Sequence, residues 1–290
     1  MCFNIIDISI KQKIIIAFVR IKIKFYARIS IPLAARYALK LFLTPVKNLP
    51  KKIPSLFKKG EKITFSLKPY LLKGYRWNHP QPKKALILHG FSSTIHKFDH
   101  FVKPLIKQGY EVIAIDAPAH GKSSGKQISV LEYKAMIEKV HATLGPIDAF
   151  IAHSFGGLAL SLALEKITQQ EKMKVVLIAP ATETTTAIQL FSKFLRLPKG
   201  VKAGMEELIF ERSGIRAEDF SIRKAAPHIK AKVLWIHDES DEITPWKDAV
   251  VIKDASYPNF QFLLTQTFGH RRIYREEKVT NAVFDFLKQD

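Results

Sequence analysis

The chain has 290 residues, 47% apolar and 25% charged, with a single cysteine and a net charge of +20. That composition excludes a disordered chain and a polytopic membrane protein, and one cysteine, Cys2, excludes an intrachain disulfide and any cysteine-built zinc or iron–sulfur site. The charge is lopsided: residues 1–84 hold 19 Lys and Arg against Asp7 and Glu61, leaving +17, whereas residues 85–290 hold 27 against 24, leaving +3.

No signal-like apolar run precedes Cys2, which reads as an ordinary terminal residue rather than a lipidation site. From Lys11 to Leu43 large apolar residues are mixed with Lys and Arg and with no acid. Arg20, Lys24 and Arg28 recur every four residues, as do Arg36 and Lys40, which predicts helix. Val19 to Phe25 alternates apolar and basic like a strand, and Pro32 forbids one continuous helix. The longest charge-free stretches here, Ile14 to Val19 and Ile29 to Ala35, are far short of the ~18 residues that a membrane span needs. Two roles stay open: a helix packed on the domain with its basic residues in water, or an interfacial helix drawn to anionic membrane through residues 11–60. Nucleic-acid binding is not expected, because the basic segment lacks a readable motif and the rest is nearly neutral.

Pro45, Pro50 and Pro54, interleaved with Lys51, Lys52, Lys58 and Lys59, mark a hinge. The expected organisation is a basic helical extension over 1–60 and one domain over 61–290. After two extended stretches, Lys62 to Lys68 and Leu71 to Asn78, short aliphatic runs alternate with helical segments. The runs are Ala85 to His89, Glu111 to Asp116, Asp148 to His153, Val175 to Ala179, Val233 to His237 and Gln261 to Thr265. Runs apolar on both faces, separated by crossover-length helices, predict a mostly parallel, doubly wound α/β sheet, in which chemistry gathers at the C-terminal strand ends.

At one such end Asp148 to His153 runs into Ser154, Phe155, Gly156 and Gly157 and then a Leu- and Ala-rich helix. A serine on a tight strand-to-helix turn is thrust outward, and the small residues two before and two after it, Ala152 and Gly156, let that turn close. A helix N-cap is the competing reading of Ser154. His89-Gly90-Phe91 ends an earlier strand, Asp241 follows the strand ending at His237, and His270 follows the last strand.

With the order Ser, Asp, His, the sequence resembles the serine-nucleophile branch of the α/β-hydrolase superfamily over roughly residues 62–288. Residues 116–123, Asp-Ala-Pro-Ala-His-Gly-Lys-Ser, are similar to that family's Asp-x-Pro-Gly-His-Gly-x-Ser loop, with Ala119 in place of Gly. Residues 236–245 are similar to its acid loop. The resemblance implies an α/β-hydrolase fold with a small helical cap over about 181–230. It also implies a triad of Ser154, Asp241 and His270 and an oxyanion hole from the backbone N–H groups of Phe91 and Phe155. His89, His120 and His153 compete with His270 for the role of base and are otherwise structural. Asp238 competes with Asp241 but follows its strand closely, and the remaining acids there read as an exposed loop face.

No metal or cofactor is expected, since neither His-Glu-x-x-His nor Gly-x-Gly-x-x-Gly occurs. A serine at the elbow also argues against the branches with an Asp nucleophile. The expected function is that of a cytoplasmic serine hydrolase, peripherally membrane-associated only under the second of the two roles left open for the N-terminal helix. It would cleave a carboxylic ester or thioester of a small to medium apolar acyl group through an acyl-enzyme. A peptidase or amidase of the same fold and a non-catalytic membrane-associated scaffold are the alternatives. The sequence sets neither the leaving group nor the oligomeric state.

Overall fold

The computed structural model describes residues 9–47, 52–168 and 172–289. Cys2, Asp7, Pro50 and Lys51 lie outside the described residues. The strands are β1 (Glu61–Leu67), β2 (Tyr70–Trp77), β3 (Lys83–Leu88), β4 (Tyr110–Ile115), β5 (Ala149–His153), β6 (Lys174–Ile178), β7 (Lys232–Asp238) and β8 (Phe260–Thr265). The helices are α1 (Ile10–Ile29), α2 (Ile31–Phe42), α3 (Ser55–Lys59), α4 (Asp99–Lys107), α5 (Val130–Leu144) and α6 (Phe155–Ala163). They continue with α7 (Thr184–Leu195), α8 (Val201–Ser213), α9 (Ile222–Ala225), α10 (Lys247–Asp254), α11 (Gly269–Arg272) and α12 (Glu277–Lys288).

One sheet carries all eight strands in the order β1-β2-β4-β3-β5-β6-β7-β8. The β1–β2 and β2–β4 pairs are antiparallel and every other pair is parallel. The central strands β5 and β6 are buried at every residue, as continuous apolar runs require, whereas edge strand β1 is half-buried to exposed throughout. Side-chain alternation splits the core in two. Val175 and Leu177 face a layer built on α5, α6 and α10, while Val176 and Ile178 face α4 and α12. Helix α6 is buried on nearly every side because it lies against the sheet beneath other elements, which explains its all-apolar sequence.

The basic segment is helical, including the alternating stretch Val19 to Phe25, so helical period outweighs the strand-like local pattern. Its break falls at Ser30, whose extended backbone ends α1 while its hydroxyl accepts from the Leu33 N–H and caps α2. Pro32 sits in the first turn of α2, where its missing N–H costs nothing. A third apolar core joins Ile23, Ala35, Ala38 and Leu39 of these helices to Phe191 and Met205 of the helical insertion between β6 and β7. Backbones approach closely there: a Cβ on Gly204 of α8 would lie 2.8 Å from the Ala35 Cβ. Polar ties fix the end of α2 and the residues after it to the loops following β4 and β3, from the Ile128 N–H to the Leu43 carbonyl (2.9 Å) and from the Val46 N–H to the Ser92 hydroxyl (2.9 Å). No described helix is long and apolar enough to cross a membrane.

Candidate active site

Ser154 stands between β5 and α6 with φ 54° and ψ −121°, a left-handed conformation that an L-residue adopts only under constraint. The constraint is visible in the bonds around it. The Ser154 N–H donates to the Ile178 carbonyl (3.1 Å), and the Ser154 carbonyl accepts from Gly157 (2.9 Å) and Ala181 (3.1 Å). Gly156 is required beneath the turn, since a Cβ there would come within 2.7 Å of the His89 carbonyl oxygen. Ser154 makes no side-chain cap bond to α6. Its hydroxyl points to His270 instead, at 2.9 Å from Nε2.

His270 lies on α11, just after β8, and its Nδ1 is 2.7 Å from Asp241 Oδ2. The other Asp241 oxygen accepts the N–H groups of Ile243 (2.8 Å) and Thr244 (2.9 Å). Burial alone would raise this carboxyl, but the bonds from His270, Thr244 and Ile243 prevail and hold it down to about 2. The carboxylate is thus ionised across the physiological range, and it selects the His270 tautomer that carries its proton on Nδ1 and leaves Nε2 able to accept from Ser154.

The backbone N–H groups of Phe91 and Phe155 donate to no protein group among the described residues. Their rings meet edge to face, with centroids 5.6 Å apart. Both line a cavity of about 750 Å³ that opens at Ser154 and runs beneath Phe191, Phe194 and Ile209 of the insertion. Helix α1 closes one side of it through Lys13, Ile16 and Arg20. The Arg20 guanidinium donates to the Phe194 carbonyl (2.5 Å), tying α1 to α7 across the cavity rim.

The other candidate histidines hold backbone. His89 Nε2 accepts from the Ala117 N–H (3.0 Å) and His120 Nε2 from the Ser92 N–H (2.9 Å). His153 Nε2 lies 3.0 Å from the His270 carbonyl oxygen, so its ring carries the loop that bears His270. Burial lowers His89 to about 4 and His120 to about 3, with His89 adding to the latter. Ala119 does adopt a left-handed φ of 64°, at the position where the resembling loop has glycine.

Of the acids before Thr244, Glu239 and Glu242 lie on an exposed loop face, whereas Asp238 does not. Asp238 is fully buried and accepts from the Thr265 hydroxyl (2.8 Å) and the Phe268 N–H (3.0 Å), which strap the acid loop to the histidine loop. Its side chain turns toward β8 because it still belongs to β7. Thr244 is a further site residue that sequence reasoning did not single out: its hydroxyl lies 2.9 Å from Asp241 Oδ2 and 3.1 Å from His270 Nδ1. Its place in the Ile-Thr-Pro ending of the acid loop was the available signal.

Comparison with known proteins gives the same frame. A family model described as serine aminopeptidase, S33, matches residues 80–220. An esterase of Pyrococcus furiosus, Pf2001, superimposes with a TM-score of 0.63 at 20% identity, covering 85% of this chain and 97% of that one. The chain has the α/β-hydrolase fold. Est1E from Butyrivibrio proteoclasticus, solved with ferulic acid bound, has a TM-score of 0.56 at 21% identity, covering 78% and 97%. The uncharacterized hydrolase YugF of Bacillus subtilis (strain 168) is 28% identical over 95 residues, 31% of this chain. The chain thus spans about a third (34%) of the length of the curated relative it matches.

Proposed function

We propose that the protein is a serine hydrolase that cleaves a carboxylic ester or thioester of an apolar acyl group through a covalent acyl-enzyme. The observation that carries this reading is the unbroken line Ser154 Oγ, His270 Nε2, His270 Nδ1, Asp241 Oδ2, with spacings of 2.9 and 2.7 Å, opening on an apolar cavity. A serine hydroxyl is a weak nucleophile near neutral pH. As its oxygen bonds to the substrate carbonyl carbon, His270 Nε2 takes its proton and Asp241 stabilises the imidazolium. The tetrahedral oxyanion is met by the N–H groups of Phe91 and Phe155, which have no other protein acceptor among the described residues. Collapse breaks the bond to the leaving group, which takes the proton from Nε2, and water repeats the sequence on the acyl-enzyme. A cavity of about 750 Å³ walled by Phe91, Phe155, Leu158 and Phe191 suits a medium acyl chain better than a short one.

The matching family model favours one second reading, an aminopeptidase. Glu242 at the cavity rim is the group that would receive a substrate ammonium.

A fluorophosphonate probe tests the first reading. Wild-type protein is expected to be labelled once and to turn over p-nitrophenyl hexanoate. Ser154→Ala should lose the label and turnover by a factor of up to ~10⁶ while melting normally. Turnover of aminoacyl p-nitroanilides well above that of esters would move the assignment to peptide bonds. Absence of labelling in the folded wild type would leave a non-catalytic member of the fold.

A further inference from the structure

Helix α1 has two apolar faces. Ile16, Val19, Ile23 and Tyr26 face inward on the third core. Ile10, Ile14, Phe18, Ile21, Phe25 and Ile29 recur every three or four residues on the opposite side and are 58–78% exposed. Scattered exposed aliphatics are ordinary on a protein surface. Six in register along one helix of 20 residues, about 30 Å, are not.

The margins of this stripe are basic. Lys13 and Lys24 flank one side and Lys11 the other, all exposed, and Arg28 lies within it near the C-terminal end. Residues 8–60 contain no Asp or Glu at all. A protein partner would have to supply a long apolar strip edged by acids on both sides. An anionic bilayer supplies that pattern at any point, with acyl chains beneath a layer of negative headgroups.

We propose that α1 is an interfacial helix, lying in the headgroup region of an anionic membrane, and that it sets the mouth of the acyl cavity against that membrane. The second half follows from the same helix: Lys13, Ile16 and Arg20 line the cavity while Phe18, Ile21 and Phe25, on its other side, face outward. An ester whose acyl chain resides in the bilayer would reach Ser154 past this one helix, and a basic rim would hold an anionic headgroup outside. This second half rests on the hydrolase reading; the docking itself does not.

The test uses the full chain and sedimentation with vesicles of phosphatidylcholine alone or mixed with phosphatidylglycerol. Wild type is expected to favour the anionic vesicles by about tenfold or more. The triple variant Phe18→Ser/Ile21→Ser/Phe25→Ser should lose about tenfold or more of that binding at any salt. Lys11→Gln/Lys24→Gln/Arg28→Gln should lose it mainly at low salt, where the Debye length is long. None of these six side chains lines the cavity, so turnover of a soluble p-nitrophenyl ester should stay unchanged. Turnover of an ester carried in the vesicles should fall in step with binding. Equal binding of wild type and both variants, or no preference for anionic over neutral vesicles, overturns the docking proposal. So does a wild-type dimer in light scattering that the apolar variant dissolves, since the stripe would then be a self-association face. If the serine variant fails to form its stable protein, the glutamine variant decides the docking alone. Anionic-vesicle binding by a protein that hydrolyses nothing would retain docking and discard the hydrolase reading.

Discussion

The C-terminal edge of the sheet and the N-terminal helix pair solve opposite problems. At the edge the side chains of the acid and histidine loops are held by directional bonds. Asp241 takes four bonds, the His270 carbonyl is held by His153, and Asp238 straps one loop to the next. Along α1 only Ile23 is fully buried, and the outward face carries large apolar side chains with no polar partner to fix them. Directional bonds give a geometry that tolerates little displacement, which transfer of a proton over one hydrogen bond requires. Area-dependent apolar contact gives a surface that can meet a fluid partner in many registers.

The largest way to break the contrast lies within the acid loop. Asp241→Asn keeps the shape but offers His270 the wrong tautomer, and kcat for a p-nitrophenyl ester is expected to fall by ~10⁴. Asp238→Asn, one residue type removed in the same manner a few positions earlier, should lower kcat far less. It should cost ~1–3 kcal/mol in stability by weakening the straps to Thr265 and Phe268. Kinetics and urea melts of the two variants side by side separate the roles, and a larger kcat loss in Asp238→Asn would reverse the assignment.

The two regions also differed in how far they could be read from sequence. Strand and helix order was legible because buried parallel strands need unbroken apolar runs, and those runs fell within a residue or two of their observed bounds. The tight strand-to-helix turn was legible because Ala152, Ser154 and Gly156 meet a local steric demand. Asp238 and Thr244 were less so: both act through partners from other elements, at Thr265, Phe268, Ala179 and His270, and no local pattern encodes such a pairing. The two faces of α1 were hidden for a related reason. Apolar residues on both sides of a helix look alike in sequence, and only the position of α7 and α8 decides which of them meets a core.

Acid should distinguish the regions next. His89 and His120 are neutral in the fold, lowered to about 4 and about 3 by burial, whereas in the unfolded chain each takes a proton near pH 6.5. Their contribution is therefore complete above about pH 6.5 and is lost as pH falls toward those folded values, with the unfolded state binding more protons throughout. Together they should cost a few kcal/mol by about pH 4. Residues 1–78 contain no histidine, so the helix pair keeps its charge over that range. Thermal melts between pH 7 and pH 4 should show a steadily falling Tm, reduced in slope by His120→Gln once its lower starting stability is allowed for. A Tm indifferent to pH would mean that these rings are not buried in their neutral form.

The smallest effects bear most directly on the two faces of α1. Ile23 is 1% exposed and packs in the core shared with α2, α7 and α8, so Ile23→Ala removes buried methyl groups and leaves a cavity. The expected loss is ~2–4 kcal/mol, felt in urea unfolding of the whole chain if the third core melts with the sheet. Phe18 is 64% exposed on the opposite face, and Phe18→Ala should change stability by no more than ~0.5 kcal/mol, since its ring already stands in water. Both substitutions lie on one helix and both delete a large apolar side chain, so helix propensity and hydropathy cannot explain a difference between them. Equal losses would place a protein contact over Phe18 and remove the outward face from water. A biphasic melt in Ile23→Ala alone would show instead that the helix pair unfolds separately from the sheet.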